Sequence, residues 1–337
     1  MSGASIPYHL RPHKAVDRRL FLDLLGRLER WMPLNDYAYV SMGAYPLEDH
    51  RLVHRVLGIT RLLAFDFDGE VVARQEFNRP LDSCRCVELS AQKLVDDFDR
   101  ILSDQGFGDA RGAIVWLDYT DPKQHAQQLR EFQTLLDKLT EGDIVRVTVN
   151  AHINLQVDSA VGSKPLTKDE KRAKMLQIIK SKMGEYLPSN TTVDDMTQDR
   201  LPSVISRSFG AAAHKAFQST GTNTFKPLSI TRYSDGTQML SMTGMVIART
   251  KVEEFDARMQ WPSWPFASAD WGAVHHLVVP SLTLRERLFL EKGIGRTTDE
   301  LISELGFISA ADVPLQEFLA SYRNYYRFYP TLLSADV

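Results

Sequence analysis

Carboxylates at the ends of short apolar runs are the groups in this chain best placed to do chemistry. Residues 37–40 run into Ser41-Met42-Gly43-Ala44, residues 62–65 into Asp66-Phe67-Asp68, and residues 113–117 into Asp118-Tyr119-Thr120-Asp121. Helical patterns fill the gaps between them. The runs therefore read as parallel strands whose carboxyl ends share one edge, and that edge is where ligands bind in open α/β sheets.

Each strand end carries its own chemistry. In Ser41-Met42-Gly43-Ala44-Tyr45, small residues sit where a strand passes into a helix, so backbone N–H groups can approach a polar or anionic ligand. The same residues fit a tight turn that simply needs Gly43. Asp66 lies 25 residues after Ser41 and can accept both hydroxyls of a ribose. Asp68 is the neighbouring alternative, and Asp68-Gly69 also suits a solvated turn. Ser90 follows the third strand on the same edge and suits the N-cap of the next helix. In Trp116-Leu117-Asp118-Tyr119-Thr120-Asp121-Pro122, Asp118 is expected to face the cleft. Asp121 then caps a helix that starts at Pro122.

The elements that must hold these groups follow from hydrophobic period and breakers. Helices are expected at 15–32, ended by Pro33, and at 47–57, stopped by Gly58. A strand at 61–67 leads into an irregular stretch with Phe77-Asn78-Arg79-Pro80 as its breaker. A strand at 83–89, a helix at 91–102, the strand from 113 and a helix at 122–139 come next. A strand at 144–149 ends at Asn150-Ala151-His152. This is a βαβ repeat, and right-handed crossovers make it a doubly wound sheet. Beyond it come a basic helix at 164–182, a loop at 188–199 and a helix at 204–217. Strands at 227–233 and 238–249, joined by Ser234-Asp235-Gly236, form a hairpin. The tail is helical, with capping-box spacing at Thr283/Glu286 and Thr297/Glu300. The expected class is α/β: a Rossmann-like doubly wound sheet with five parallel strands plus an antiparallel hairpin, a helical insertion and a helical C-terminal extension. The expected divisions are 1–34, 35–250 with the basic insertion at 160–220, and 260–337.

Composition excludes little. The 337 residues are 43% apolar and 25% charged, and the formal charge of −3 gives no global pull toward nucleic acid or anionic lipid. Cys84 and Cys86 share a strand face; a disulfide between them is geometrically poor, so they read as reduced thiols. No apolar signal-peptide core and no run of about 18 apolar residues is present, so a cytoplasmic protein without membrane spans is expected. His50 and His54 have i, i+4 spacing but no third ligand, and no metal site is expected. The basic helix, with Lys164, Lys168, Lys171, Arg172, Lys174, Lys180 and Lys182, can track phosphates but reads better as a solvated face. Tyr322, Tyr325, Tyr326, Phe328 and Tyr329 with Arg323 and Arg327 can stack bases. The favoured reading is a helix packed on the main domain, on a protein partner or on a second copy.

The element order resembles the class I S-adenosylmethionine-dependent methyltransferases, in which a parallel half is followed by an antiparallel hairpin. The likeness covers roughly residues 35–250. The Asp118–Pro122 stretch also resembles the Asp-Pro-Pro-Tyr type of motif, in which the acidic or amide group orients a nucleophile and the ring stacks on the target. More narrowly, Tyr39-Val40-Ser41-Met42-Gly43-Ala44, Gln75-Glu76-Phe77-Asn78-Arg79-Pro80, Ile114-Val115-Trp116-Leu117-Asp118-Tyr119 and Tyr325-Tyr326-Arg327-Phe328-Tyr329-Pro330 resemble bacterial proteins labelled "putative O-methyltransferase". The resemblance implies S-adenosylmethionine as cofactor and an unidentified methyl acceptor. It places Gly43 and Tyr45 by the methionine part, Asp66 at the ribose, Ser90 by the adenine and Asp118 by the methyl donor, with Ala44 and Phe67 also at the cofactor. Asp118, Tyr119 and His152 are the candidate catalytic residues, with Asp118 or His152 as base if the acceptor is a hydroxyl. The first turn departs from the family's glycine-rich form, since Gly43 stands alone. A catalytically weakened subunit that acts as a scaffold in a multiprotein system is the alternative.

Overall fold

The computed structural model describes residues 11–153, 167–218, 221–279, 282–307 and 313–329. The chain runs through α1 (Pro12–Leu28), β1 (Ala38–Ser41), α2 (Glu48–Leu57), β2 (Arg61–Asp66), α3 (Gly69–Asn78), β3 (Arg85–Glu88), α4 (Ala91–Asp96), α5 (Phe98–Asp104), β4 (Ala113–Asp118), α6 (His125–Leu136) and β5 (Ile144–Asn150). It continues through α7 (Lys168–Met183), α8 (Leu201–Ala216), β6 (Asn223–Ser234), β7 (Gln238–Ala248), α9 (Val252–Met259), β8 (His275–His276), α10 (Leu284–Lys292), α11 (Thr298–Leu305) and α12 (Leu315–Tyr325). The strands form one sheet in the order β3-β2-β1-β4-β5-β7-β6-β8. β1 to β5 pair in parallel, β7 is antiparallel to β5 and to β6, and β8 is parallel to β6. The expected α/β sheet, with its parallel half and its hairpin, is the one the chain adopts.

Both faces of the sheet are covered, which is why its central strands read as unbroken apolar runs. The two-residue period of a strand sends Tyr39, Ala64, Ile114, Trp116 and Ile144 to one face. Val40, Phe65, Val115, Leu117 and Val145 point to the other. The first face packs on α1, α2, the Trp261–Trp264 corner and the C-terminal helices. The second packs on α4 to α8.

Local differences from the sequence reading have identifiable causes. Residues 69–78 are helical rather than irregular, because Asp68 accepts from the N–H of Glu70 and caps a helix whose Gln75 is buried. The helix expected at 91–102 is two, parted at Asp97, whose backbone leaves the helical region and whose carboxylate meets Lys93 and Arg100. Pro122 does not open α6: Asp121 accepts from the N–H of Lys123 in a turn, and the helix starts at His125. α1 starts at Pro12, where a missing N–H costs nothing, and stops at Leu28 before reaching Pro33.

The aromatic tail turns inward. Phe318, Tyr322, Tyr325 and Tyr329 are buried within this chain, Tyr325 donates to the carbonyl of Val278, and Arg19 of α1 donates to the carbonyl of Tyr329. These buried side chains pack within this chain, against α1 and the segment at Val278. The two tail capping boxes form as expected, Cys84 and Cys86 are free thiols, and Lys164 lies outside the described residues. Among the described residues no helix is long and apolar enough to cross a membrane.

His125, at the start of α6, is fully buried, with Nδ1 2.7 Å from the carbonyl of Pro122. Burial pulls its imidazole down to about 4. An unfolded histidine titrates near 6.5, so between these values the unfolded chain binds the extra proton. Stability is fully present above pH 6.5 and falls as pH drops toward 4. Between pH 7.5 and pH 5 the expected loss from this group is about 2 kcal/mol. Urea unfolding at both pH values should show it in the native chain and not in His125→Asn, whose amide can still donate to Pro122. Equal losses in the two proteins contradict this assignment.

Candidate active site

The strand order reverses between β1 and β4, and an α/β sheet binds ligands at the carboxyl ends of the strands beside such a switch point. Ser41 pairs in register with Trp116, so Asp118 stands two residues past that pair at the end of β4. A polar cavity lies here, lined by Ser41 and Gly43 from the β1 side, Trp116 and Asp118 from β4, Asp49 of α2 and Arg18 of α1. Its volume is ≈ 10 Å³, room for about one water.

The charges around it are paired and buried. Lys14 Nζ donates to Asp118 Oδ2 at 2.7 Å, with the two side chains 9% and 18% exposed, and Asp118 Oδ1 is buried without a hydrogen-bond partner among the described residues. Arg18 donates to Glu48 at 2.7 Å. Burial pulls the Arg18 guanidinium down, but Asp49, Glu48 and Asp118 outweigh it and hold it charged. Asp49 accepts from the Tyr39 hydroxyl at 2.8 Å and lies 3.4 Å from His50 Nδ1. Burial by itself would raise the Asp49 carboxyl; His50 and Arg18 overcome that and keep it well below the usual carboxylate range.

The turn after β1 is held in an uncommon shape. Gly43, Ala44 and Leu47 have φ of 65°, 45° and 51°, the left-handed region that only glycine adopts freely. α3 supplies the restraint. Gln75 Nε2 donates to the carbonyls of Met42 at 2.8 Å and Ala44 at 3.3 Å, and Asn78 Nδ2 donates to that of Tyr45 at 3.0 Å. Arg74 lies over the Tyr45 ring at 3.5 Å. With those carbonyls tied back, the N–H groups of Gly43 and Ala44 have no acceptor among the described residues, and Gly43 borders the cavity. The segment Gln75-Glu76-Phe77-Asn78 thus acts through its amides on a turn more than thirty positions earlier.

The other expected site residues distribute unevenly. Asp66 ends β2, with Oδ1 accepting from the N–H of Asp68, and burial raises its carboxyl. Phe67 beside it is 79% exposed, an aromatic face open on the rim. Ser90 caps α4 by accepting from the N–H of Lys93 at 3.2 Å. Tyr119 is not brought to the cavity: one residue past Asp118, it points to the opposite face, buried with its hydroxyl 2.6 Å from Glu131. His152, half-buried past the end of β5, is not among the residues lining the cavity; Asn150 accepts from its N–H. His50 and His54 do not converge, since their rings face the carbonyls of Leu63 and Ile59. Among the described residues no cluster suited to a metal ion occurs.

The sequence reading missed Lys14, Arg18, Ser41 as a cavity wall, and Asp49. A usable signal was present for the first two. Lys14 and Arg18 are one helical turn apart and in line with the apolar positions Phe21, Leu25 and Leu28, and a cation pair on such a stripe has to meet buried acids.

A family model described as "Putative O-methyltransferase" matches residues 6–337, nearly the whole chain. The chain belongs to that family. No curated protein matches it. For an O-methyltransferase-family chain, S-adenosylmethionine is the cofactor to test against this geometry. Toward its outer half, Asp66, Phe67 and Ser90 lie at or just past the ends of β2 and β3 and are at least partly exposed. The inner half does not fit as it stands, because ≈ 10 Å³ beneath α1 is too little for an amino-acid chain.

Proposed function

We propose that this chain transfers a methyl group from S-adenosylmethionine to a hydroxyl oxygen of an acceptor. The observation that carries the reading is the polar cavity at the β1/β4 switch point, with Asp118 on one wall and the Gly43 turn on the other, in a member of this family. The cofactor supplies an electrophilic methyl group. The chain's own contribution is position: the Gly43–Tyr45 turn and Asp66 to hold the ligand, and the unbonded Oδ1 of Asp118 to take the hydroxyl proton. His152 is the weaker candidate base, since it does not line the cavity.

Calorimetric titration with S-adenosylmethionine and S-adenosylhomocysteine tests the reading. Saturable binding that Asp66→Ala weakens about tenfold is the expected result, the loss of roughly one charged hydrogen bond. Absence of heat at millimolar cofactor, with the protein folded, overturns it. The lone glycine in the first turn and the small volume of the inner cavity favour a second reading in that case, a subunit that keeps the fold and acts by binding.

A further inference from the structure

The opposite edge of the sheet holds a second cavity, of ≈ 200 Å³, where the chain enters β4 and β5. It shares no lining residue with the cavity that holds Asp118. Its apolar wall is built from buried side chains: Phe98 and Leu102 of α5, Phe107, and Leu139 after α6. Charged groups complete the lining. Arg111, in the turn before β4, is exposed, and Lys138, between α6 and β5, is half-buried. Neither is in a salt bridge among the described residues, and nor is Asp99 of α5, the exposed acid of the lining. Asp143 differs. It is 6% exposed and already accepts from the N–H of Ala113 at 2.7 Å and from the N–H and hydroxyl of Thr140 at 2.8 and 3.2 Å. Burial raises its carboxyl, those bonds offset the rise and the Asp99 charge adds to it, so the two acids feel one another.

We propose that this cavity binds a free α-amino acid with an apolar side chain. Three groups on the ligand answer three features of the lining. Arg111 and Lys138 take the carboxylate, the guanidinium through paired N–H bonds. Asp99 takes the ammonium, with the field of Asp143 behind it. The side chain lies on Phe98, Leu102, Phe107 and Leu139. Inorganic phosphate would leave that wall unused and would be repelled by the two acids. An uncharged apolar ligand would take the rim charges out of water without partners. Drug-sized ligands need about 300 Å³ or more, so this smaller space suits a single amino acid. The site is independent of the methyltransferase reading, since it lies at the other end of β4 from Asp118.

Calorimetric titration of the full-length protein tests this. The probes are L-leucine and L-phenylalanine, each with its deaminated and its decarboxylated analogue, and glycine as the form without an apolar side chain. Saturable binding of at least one of the two amino acids is expected, with its analogues and glycine about tenfold weaker or worse. The double variant Arg111→Gln/Lys138→Gln and the single variant Asp99→Asn should each weaken it by about tenfold. No binding of either amino acid at millimolar concentration, with the protein folded, overturns the proposal. Unchanged affinity in the double variant also overturns it, because the amino acid then sits elsewhere. If the double variant does not fold, the native protein decides through the analogues: a deaminated or decarboxylated form that binds as tightly as the amino acid sinks the zwitterion site.

Discussion

Replacing Asp17 by alanine is expected to destabilise the protein by about 3–5 kcal/mol, the cost of leaving a buried charge without its partner. Asp17 is 1% exposed and accepts from Arg146, from the hydroxyl of Thr231 at 2.7 Å and from that of Ser241 at 3.1 Å. Arg146 donates also to Thr243 at 2.9 Å and lies 4.7 Å from the ring centroids of both Phe21 and Trp116. Thr148 links Ser241 to the indole N–H of Trp116. This one carboxylate therefore connects α1 to four strands. In Asp17→Ala the Arg146 guanidinium keeps its aromatic neighbours but loses its counter-charge. The double variant Asp17→Ala/Arg146→Met should recover much of the loss, since methionine fits that aromatic slot without a charge. Urea unfolding measures both. A loss under about 1 kcal/mol in the single variant contradicts a buried, obligatory pair.

Gly43→Ala is expected to cost about 2–5 kcal/mol, combining left-handed backbone strain with overpacking. A Cβ at this position would stand 2.7 Å from His50 Cε1 and 2.8 Å from Leu47 Cδ2. Neither neighbour can step aside cheaply. His50 is held by the carbonyl of Leu63 and by Asp49, and Leu47 is itself buried at positive φ. The same change pushes the turn away from Gln75 and Asn78, so cofactor binding should fall with stability. Thermal unfolding with and without S-adenosylhomocysteine reports both effects. A variant as stable as the native chain would mean that the turn relaxes to another shape.

Much of the scaffold was legible because it is local. A five-residue apolar run such as 113–117, a stop such as Gly58 and a turn such as Ser234-Asp235-Gly236 each carry their own geometry. α3 was the exception. Its one fully buried side chain is Gln75, with Val71 and Val72 only half-buried beside it, so hydrophobic period gave a weak signal. The separation of Asp118 from Tyr119 was also implicit, since adjacent residues on a strand face opposite ways. What the sequence lacked was which face carries the cavity.

The sequence by itself determined the parallel sheet and the carboxylates along its carboxyl edge, because strand period and turn chemistry act within a few residues. Only the tertiary structure decided that α1 closes that edge. Lys14 and Asp118 are 104 positions apart, and His13 and Asp235 are 222 apart. No local pattern encodes such pairings. They arise because burying the leucine stripe of α1 on one sheet face brings Lys14 to Asp118 at the end of β4 and Arg18 to Glu48 of α2.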